Sequence, residues 1–433
     1  MFKNNIFIRN ILLFLLFYLI TIVAINYIYY LNYIKKWPEI IFQNGDIDIS
    51  RLPFGFDQVT NNLINNNGLL NISSFSESNQ YLSRMPVVPL YIKFIYIFIT
   101  KKFFFIILIK NLFFFMIIII LSYLIFKDHL KPFLIFILLS YNFHNIVTLT
   151  NLVPEEGFTG YLIIILFLIN YLNYKNKQIL IAIVISTIFF TKPSMVFLCY
   201  SLSLVIGYLG YKKRENLFYL PLIMILLSYL IWSSYSYEKV NKFLNPFSLT
   251  SIGGQGLNIA YNKYFNNIYP EQSGDILESY IFNKIKKEKH LTKEKLKEMD
   301  ELTINKMFIA DSVDFIKNNP KEVVVSYAKK IYNIFFNLKN DGKIKSDNEY
   351  NKIRYSNISN KILLNLMIII IIKNLITNNN NKNNDVICIA IIATFVFPYI
   401  IAIAYSRQIV PLYILAHIYI FFHIINKWQI KRN

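Results

Sequence analysis

The amino-acid sequence predicts an all-α polytopic membrane protein, a bundle of about ten transmembrane helices, and three observations predict it. Of its 433 residues, 55% are hydrophobic and 16% charged, more apolar side chain than one soluble core of this size can hide. The apolar residues come in runs such as Ile106–Phe126 and Asp385–Ser406, each near the roughly 18–20 residues that cross a hydrocarbon layer. The runs also lack a one-sided stripe, as expected where lipid and neighbouring helices both accept apolar faces.

Taken in order, Ile6–Ile28 is a first span. It is too long for a signal h-region, and no small-residue cleavage site follows it. The first outer loop, 35–102, begins with the polar stretch Lys35–Pro86. It ends with Val87–Thr100, which is apolar, shorter than a span and carries Lys93; this reads as a juxtamembrane helix in the interface. The later spans then fall at roughly 103–126, 132–152, 158–173, 178–191, 194–210, 216–233, 361–376, 385–405 and 408–426. On that arrangement Lys127–Lys131, Tyr174–Lys177, Lys212–Arg214, Thr377–Asn384 and Lys427–Arg432 share one side. Nearly all are basic, as short cytoplasmic loops are. Were Val87–Thr100 to cross, Lys127–Lys131 and Lys212–Arg214 would face outward.

The chain therefore divides into an N-terminal transmembrane module (1–233), a long extracytoplasmic loop with amphipathic helices (234–360) and C-terminal transmembrane helices (361–433). Within the long loop, Asn319, Pro320 and Glu322 read as an N-cap, a first-turn proline and a capping-box acid. Val324, Tyr327, Ile331, Phe335 and Leu338 follow on one helical face. Lys321, Lys329 and Lys330 take the other, the pattern of a helix resting on the membrane surface. Leu296, Met299, Thr303 and Met307 mark a weaker helix before it.

The net charge of +20 sits largely in short loops and the long polar segment, without a nucleic-acid motif, so no nucleic-acid partner is expected. Cys199 and Cys388 both fall inside predicted spans, which argues against a disulfide framework and against a thiolate metal site. The five histidines offer no ligand-spaced pair beside a third ligand, and no metal site is expected.

The candidate chemistry gathers on the outer side. The first loop carries Glu39, Asp46, Asp48, Asp57 and Glu77. Carboxylates near an interface can act as general bases or hold a divalent cation; the alternative is a merely solvated loop. Glu155 and Glu156 lie between two apolar runs, where a carboxylate is costly unless solvated or paired. Lys192 and Arg407 stand just outside apolar segments. Such cations either snorkel to headgroups or grip a phosphate, for which Arg offers bidentate geometry and Lys a point charge.

Six short patterns occur in order along this outer side. Asp48 is followed by Phe56–Leu63 and Gly68, and then by Arg84-Met85-Pro86-Val87-Val88-Pro89-Leu90. Glu156 precedes Phe158 and Leu162. Thr191-Lys192-Pro193 turns between two spans. Gly253-Gly254-Gln255-Gly256-Leu257-Asn258 comes shortly before Asn262, and Arg407-Gln408-Ile409-Val410-Pro411 leads into the last span. This order resembles the GT-C glycosyltransferases, among them the bacterial members related to protein O-mannosyltransferases and aminoarabinose transferases. Two departures stand out. The acid-to-Leu spacing in the first loop is longer than the family's, so Asp46, Asp48 and Asp57 compete for one place, and Lys192 replaces an Arg.

The resemblance implies a GT-C-like bundle and transfer of a sugar from a polyprenyl-phosphate carrier to a lipid, glycan or protein acceptor. The reaction would be an inverting displacement at the outer face of a bacterial cytoplasmic membrane. By it, Asp48 or Asp57 acts on the acceptor and Glu156 is a second acid. Arg407, Lys192 and Arg84 approach the donor phosphate, while Gly253, Gly254 and Asn258 border the cavity. No cofactor is certain; a divalent cation is compatible with the acids but not required. The competing expectations are a lipid-linked-oligosaccharide flippase or other transporter, and a surface-polysaccharide polymerase or ligase.

Overall fold

The computed structural model describes residues 56–72, 79–99, 103–127, 154–246, 249–250, 253–269, 275–337, 347–377, 382–401 and 406–430. The expected spans at 6–28 and 132–152, and the acids Glu39, Asp46, Asp48 and Glu77, lie outside these residues.

The described chain is helical apart from its turns and a two-residue antiparallel pairing. Helix α1 (Phe56–Ile64) leads to β1 (Asn71–Ile72), which pairs with β2 (Asn79–Gln80). Next come α2 (Val87–Phe98), α3 (Phe103–Phe126), α4 (Pro154–Tyr171) and α5 (Lys177–Phe189). A 3-10 turn, Pro193–Met195, opens α6 (Val196–Lys212), and α7 is Leu220–Val240. Five helices of between four and eighteen residues follow: α8 (Gly253–Ala260), α9 (Phe265–Ile268), α10 (Asp275–Glu288), α11 (Lys293–Glu298) and α12 (Glu301–Asn318). Then come α13 (Pro320–Phe335), α14 (Asp347–Ile376), α15 (Lys382–Ile401) and α16 (Ser406–Ile430).

Among the described residues, five segments are long and apolar enough to cross a membrane: Leu108–Phe126, Pro193–Lys212, Leu220–Val240, Ile358–Ile376 and Asn383–Ile401. Shorter apolar helices, Gly157–Tyr171 and Ile409–Ile425, accompany them. These shorter two form the centre of the bundle. Phe158–Ile169 of α4 and Ile409–Tyr419 of α16 are buried all round, the pattern of helices enclosed by other helices. The longer ones are peripheral and keep bare apolar faces, such as Leu230 and Ile231 on α7 and Ile362 and Ile369 on α14. Helix α2 is too short, at 12 residues or about 18 Å, to cross about 30 Å of hydrocarbon. Val88, Ile92 and Ile95 bury one of its faces, and Leu90, Phe94, Ile97 and Phe98 stay exposed on the other.

The loops sort into two ends. At the basic end, Lys177 pairs with Glu215 at 3.1 Å and Gln178 donates to the same carboxylate at 2.6 Å, tying the α4–α5 turn to the α6–α7 turn. Tyr171 and Phe126 both pack on Phe422 there. At the other end α8–α12 form a second core around Tyr261, Phe265, Ile281 and Phe308. Lys242, just past α7, bonds Asp300 at 3.0 Å. Burial pushes the Asp300 carboxyl up, but bonds from Thr303 and Lys242 outweigh it and hold it at about 2.

Several boundaries differ from the sequence reading. Helix α7 continues to Val240 and α14 begins at Asp347, so both edges of the long loop are helical extensions of spans. Asn319 makes no side-chain cap for α13; its amide turns back and donates to the Phe315 carbonyl at 3.1 Å, closing α12 instead. The faces of α13 are also redistributed. Lys330 is fully buried beside Ser326 and Asn333, whereas Val324, Val325, Ile331, Tyr332 and Phe336 are exposed. Periodicity assigns residues to faces but not faces to lipid or protein, and this helix turns polar groups inward because carbonyls and tyrosines meet them there. Lys330 donates to the Ile400 and Ile401 carbonyls at 3.1 and 3.4 Å, at the C-terminus of α15. Its ammonium lies 4.7 Å from the Tyr261 ring and 5.1 Å from that of Phe265.

Candidate functional site

Three turns meet at the end opposite the basic loops. The first carries Arg84. Its backbone is fixed from the far side of the chain by Glu301, at the start of α12, whose two carboxylate oxygens accept from Tyr81 N at 2.9 Å and Leu82 N at 3.2 Å. Asn71 adds a bond to Ser83 at 3.2 Å. So held, Arg84 reaches Glu155 in the first turn of α4, Nη1 to Oε1 at 3.3 Å. Glu155 is 8% exposed, and a carboxylate there gains from the helix N-terminus as well as from the guanidinium.

The third turn joins the first directly. Val87 N donates to the Phe190 carbonyl at 3.1 Å, two residues before Lys192. Pro193 fixes the first position of the 3-10 turn, and Lys192 before it is extended, as the residue preceding a proline prefers. Lys192 is 6% exposed, with its ammonium 5.8 Å from the Tyr399 ring centroid. The Tyr399 hydroxyl lies 3.4 Å from Ser194 Oγ.

Beside these turns runs an apolar groove of about 850 Å³, walled by α2, α3, α4 and α5 through residues such as Val87, Phe94, Phe113, Phe158, Leu162 and Thr187. Val87, Phe158 and Thr187 lie within five residues of Arg84, Glu155 and Lys192 respectively. Lys93 lines the groove too, but its ammonium donates to the Leu63 carbonyl at 2.7 Å, capping α1. Lys110, 4% exposed on α3, lies 5.8 Å from the Phe158 ring. Next to it, Tyr161 donates to Asn111 at 3.0 Å.

The sequence candidates are distributed unevenly. Arg84 and Lys192 stand on turns joined by the Val87–Phe190 bond. Asp48 lies outside the described residues, while Asp57 is on α1, Glu156 on α4 beside Glu155, and Arg407 on the first turn of α16. Gly253, Gly254 and Asn258 belong to α8 and are not among the groove-lining residues. Gly253 is exposed. Gly254 is pressed against α12, its N–H donating to Asn305 Oδ1 at 2.5 Å. Asn258 is buried, its carbonyl accepting from Asn262 at 2.7 Å.

Sequence reasoning passed over Lys110, Glu301 and Tyr399. Lys110 was detectable as the one charge in Phe103–Phe126, since an ionisable residue inside an apolar run is costly to keep. Glu301 and Tyr399 carried no such signal. Among the described residues, no group of three His, Cys, Asp or Glu side chains is placed to hold a metal ion. Comparison with protein-family models, with curated proteins and with solved structures finds no match to this chain.

Proposed function

We propose that the protein transfers a glycosyl group from a polyprenyl-phosphate carrier to an acceptor at the extracytoplasmic end of the bundle. One observation carries this reading: the turns that hold Arg84, Glu155 and Lys192 are joined by the Arg84–Glu155 pair and the Val87–Phe190 bond, beside a long apolar groove. A phosphate on an isoprenoid chain has that shape and charge, an anion at the interface with a greasy tail below it. In the reaction the acceptor oxygen attacks the anomeric carbon as the bond to the phosphate oxygen breaks. The proton leaves with a carboxylate, Asp48, Asp57 or Glu156, and the phosphate leaves as an anion. Cations already in place at that oxygen lower the barrier because they need no reorganisation. Lys192 and Arg84 suit that role, with Arg407 as a third. The extracytoplasmic assignment follows from the basic character of the opposite loops.

The test uses the full-length protein in nanodiscs with a panel of undecaprenyl-phosphate hexoses, reading undecaprenyl phosphate release by mass spectrometry. Release that requires Lys192 and an added acceptor supports the reading. Intact donors across the panel, with or without a cell-envelope lipid and glycan extract as acceptor source, would count against it. A transport reading draws support from Lys110 and Asp385, both buried in spanning helices. It predicts movement of the intact donor between leaflets without cleavage. For sidedness, a cysteine at Gly253 should label from outside whole cells and one at Lys213 should not; reversed labelling would invert the bundle.

A further inference from the structure

At the basic end, away from the candidate site, a second groove of about 530 Å³ opens between α6 and α15. Its α6 wall is made by Leu204, Tyr208 and Lys212 at successive helical turns with Val205 and Leu209 beside them, and Asn383 and Val386 of α15 complete the lining. The wall climbs about 12 Å, most of one leaflet of a hydrocarbon core of about 30 Å. Leu204 and Tyr208 are 59% and 65% exposed, so the wall faces outward, in line with the lipid-exposed surface of a segment apolar enough to span. Tyr211, 65% exposed, adds an aromatic ring at headgroup level.

The charge at the mouth is one-sided. Lys212, Lys213 and Arg214 are consecutive and exposed, and none makes an ion pair or side-chain hydrogen bond among the described residues. The neighbouring acids are already engaged: Glu215 is held by Lys177 and Gln178, and Asp385, buried beside Val386, accepts from the Tyr419 hydroxyl. Arg214 is in the left-handed region with φ 53°, which turns the chain immediately beyond the two lysines.

We propose that this groove binds an anionic glycerophospholipid, one acyl chain lying along Leu204, Tyr208 and Val386 and the headgroup phosphate meeting Lys212, Lys213, Arg214 and the Asn383 amide. A free anion would satisfy the cations but would leave the apolar wall without a function. A zwitterionic lipid would satisfy the wall but bring its own cation to the mouth. Basic clefts between spanning helices are suited to anionic headgroups for this reason. The inference does not rest on glycosyl transfer and stands or falls separately from it.

The experiment places the full-length protein in nanodiscs of equal parts phosphatidylglycerol and phosphatidylcholine and counts the lipids that stay bound by native mass spectrometry. Phosphatidylglycerol should be retained preferentially, by roughly fivefold for each cation engaged. Lys212→Gln should reduce the preference about fivefold, and replacing Lys212, Lys213 and Arg214 by Gln together should abolish it. These side chains are exposed, so the variants leave the core untouched. Val386→Trp fills the groove and should remove the retained lipid of either kind. Equal retention of the two lipids overturns the proposal, as does a preference that survives the triple replacement. Displacement of phosphatidylglycerol by millimolar inorganic phosphate would also overturn it, in favour of a soluble anion.

Discussion

Two glycines in α8, two residues apart, should respond to the same substitution with opposite signs. A Cβ at Gly254 would sit 2.3 Å from the Asn305 carbonyl oxygen, 2.7 Å from Asn305 Oδ1 and 3.0 Å from Ile309 Cγ1. The first of these is main chain and cannot rotate away, so α12 must retreat. Overpacking of that kind costs about 1–3 kcal/mol, and the retreat also stretches the Gly254–Asn305 bond, a loss of about 1 kcal/mol. Alanine recovers up to about 1 kcal/mol through its helix propensity. Clash therefore outweighs propensity, and Gly254→Ala should destabilise the α8–α12 crossing by about 1–3 kcal/mol. At Gly256 a Cβ meets nothing within 4 Å, so only propensity acts and Gly256→Ala should stabilise by about 0.5–1 kcal/mol. Local opening energies from amide hydrogen exchange over 254–260 and 304–309, in the full-length protein in nanodiscs, give both values without assuming a two-state transition. If both variants slow exchange alike, α8 does not press on α12 and the crossing is wrong.

Glu301→Gln keeps the shape but leaves one oxygen for two N–H groups, so exchange at Tyr81 and Leu82 should quicken about ten- to a hundredfold, a loss of roughly 1.4–2.8 kcal/mol. Unchanged exchange would mean that the β1–β2 pairing alone holds the turn. Arg84 and Glu155, whose side chains are 23% and 10% exposed, should each cost about 1–3 kcal/mol when replaced by Met and Gln, less than a fully buried pair. Their double-mutant cycle should show coupling of about 1 kcal/mol in thermal unfolding; strict additivity would dissolve the pair.

Burial pushes the Lys330 amine down to about 7 from 10.5, against the pull of the aromatic rings and helix carbonyls around it. Between those pH values the unfolded state binds more protons. Stability of α13 against α15 should therefore rise with pH by up to about 1.4 kcal/mol per unit and level off below 7 and above 10.5. Lys330→Met should flatten this slope, measured by exchange after correction for intrinsic rates. A wild-type protein without the slope would show that the rings and carbonyls keep the ammonium charged throughout.

The spans were legible where apolar runs are long: those read at 103–126 and 194–210 coincide with the apolar helical segments Leu108–Phe126 and Pro193–Lys212. That Val87–Thr100 is shorter than a span was legible as well, and the helix there, Val87–Phe98, has twelve residues. What stayed hidden were facts of pairing. Nothing local to Glu155-Glu156 says that the first of the two meets Arg84, since that contact spans 71 positions. The burial of Lys330 was equally hidden, because its partners, Tyr261 and the end of α15, lie far away in the chain. Gly254 read as permission for backbone to approach a cavity; the close approach is real, but its neighbour is Asn305. Periodicity assigns residues to faces, and in a membrane an apolar face seeks lipid as readily as protein.

Glu301 grips a turn 220 positions earlier, and this has a consequence for biogenesis. At about 5–20 residues per second, the ribosome needs roughly ten to forty seconds after making residues 81–82 before the carboxylate that fastens them exists. Throughout that interval the nascent N-terminal half must remain with Arg84 unanchored from this side, beside helices already inserted. A ribosome-stalled chain ending before residue 301 would therefore leave the tip around Tyr81 open to proteolysis, and one extending past α12 would close it.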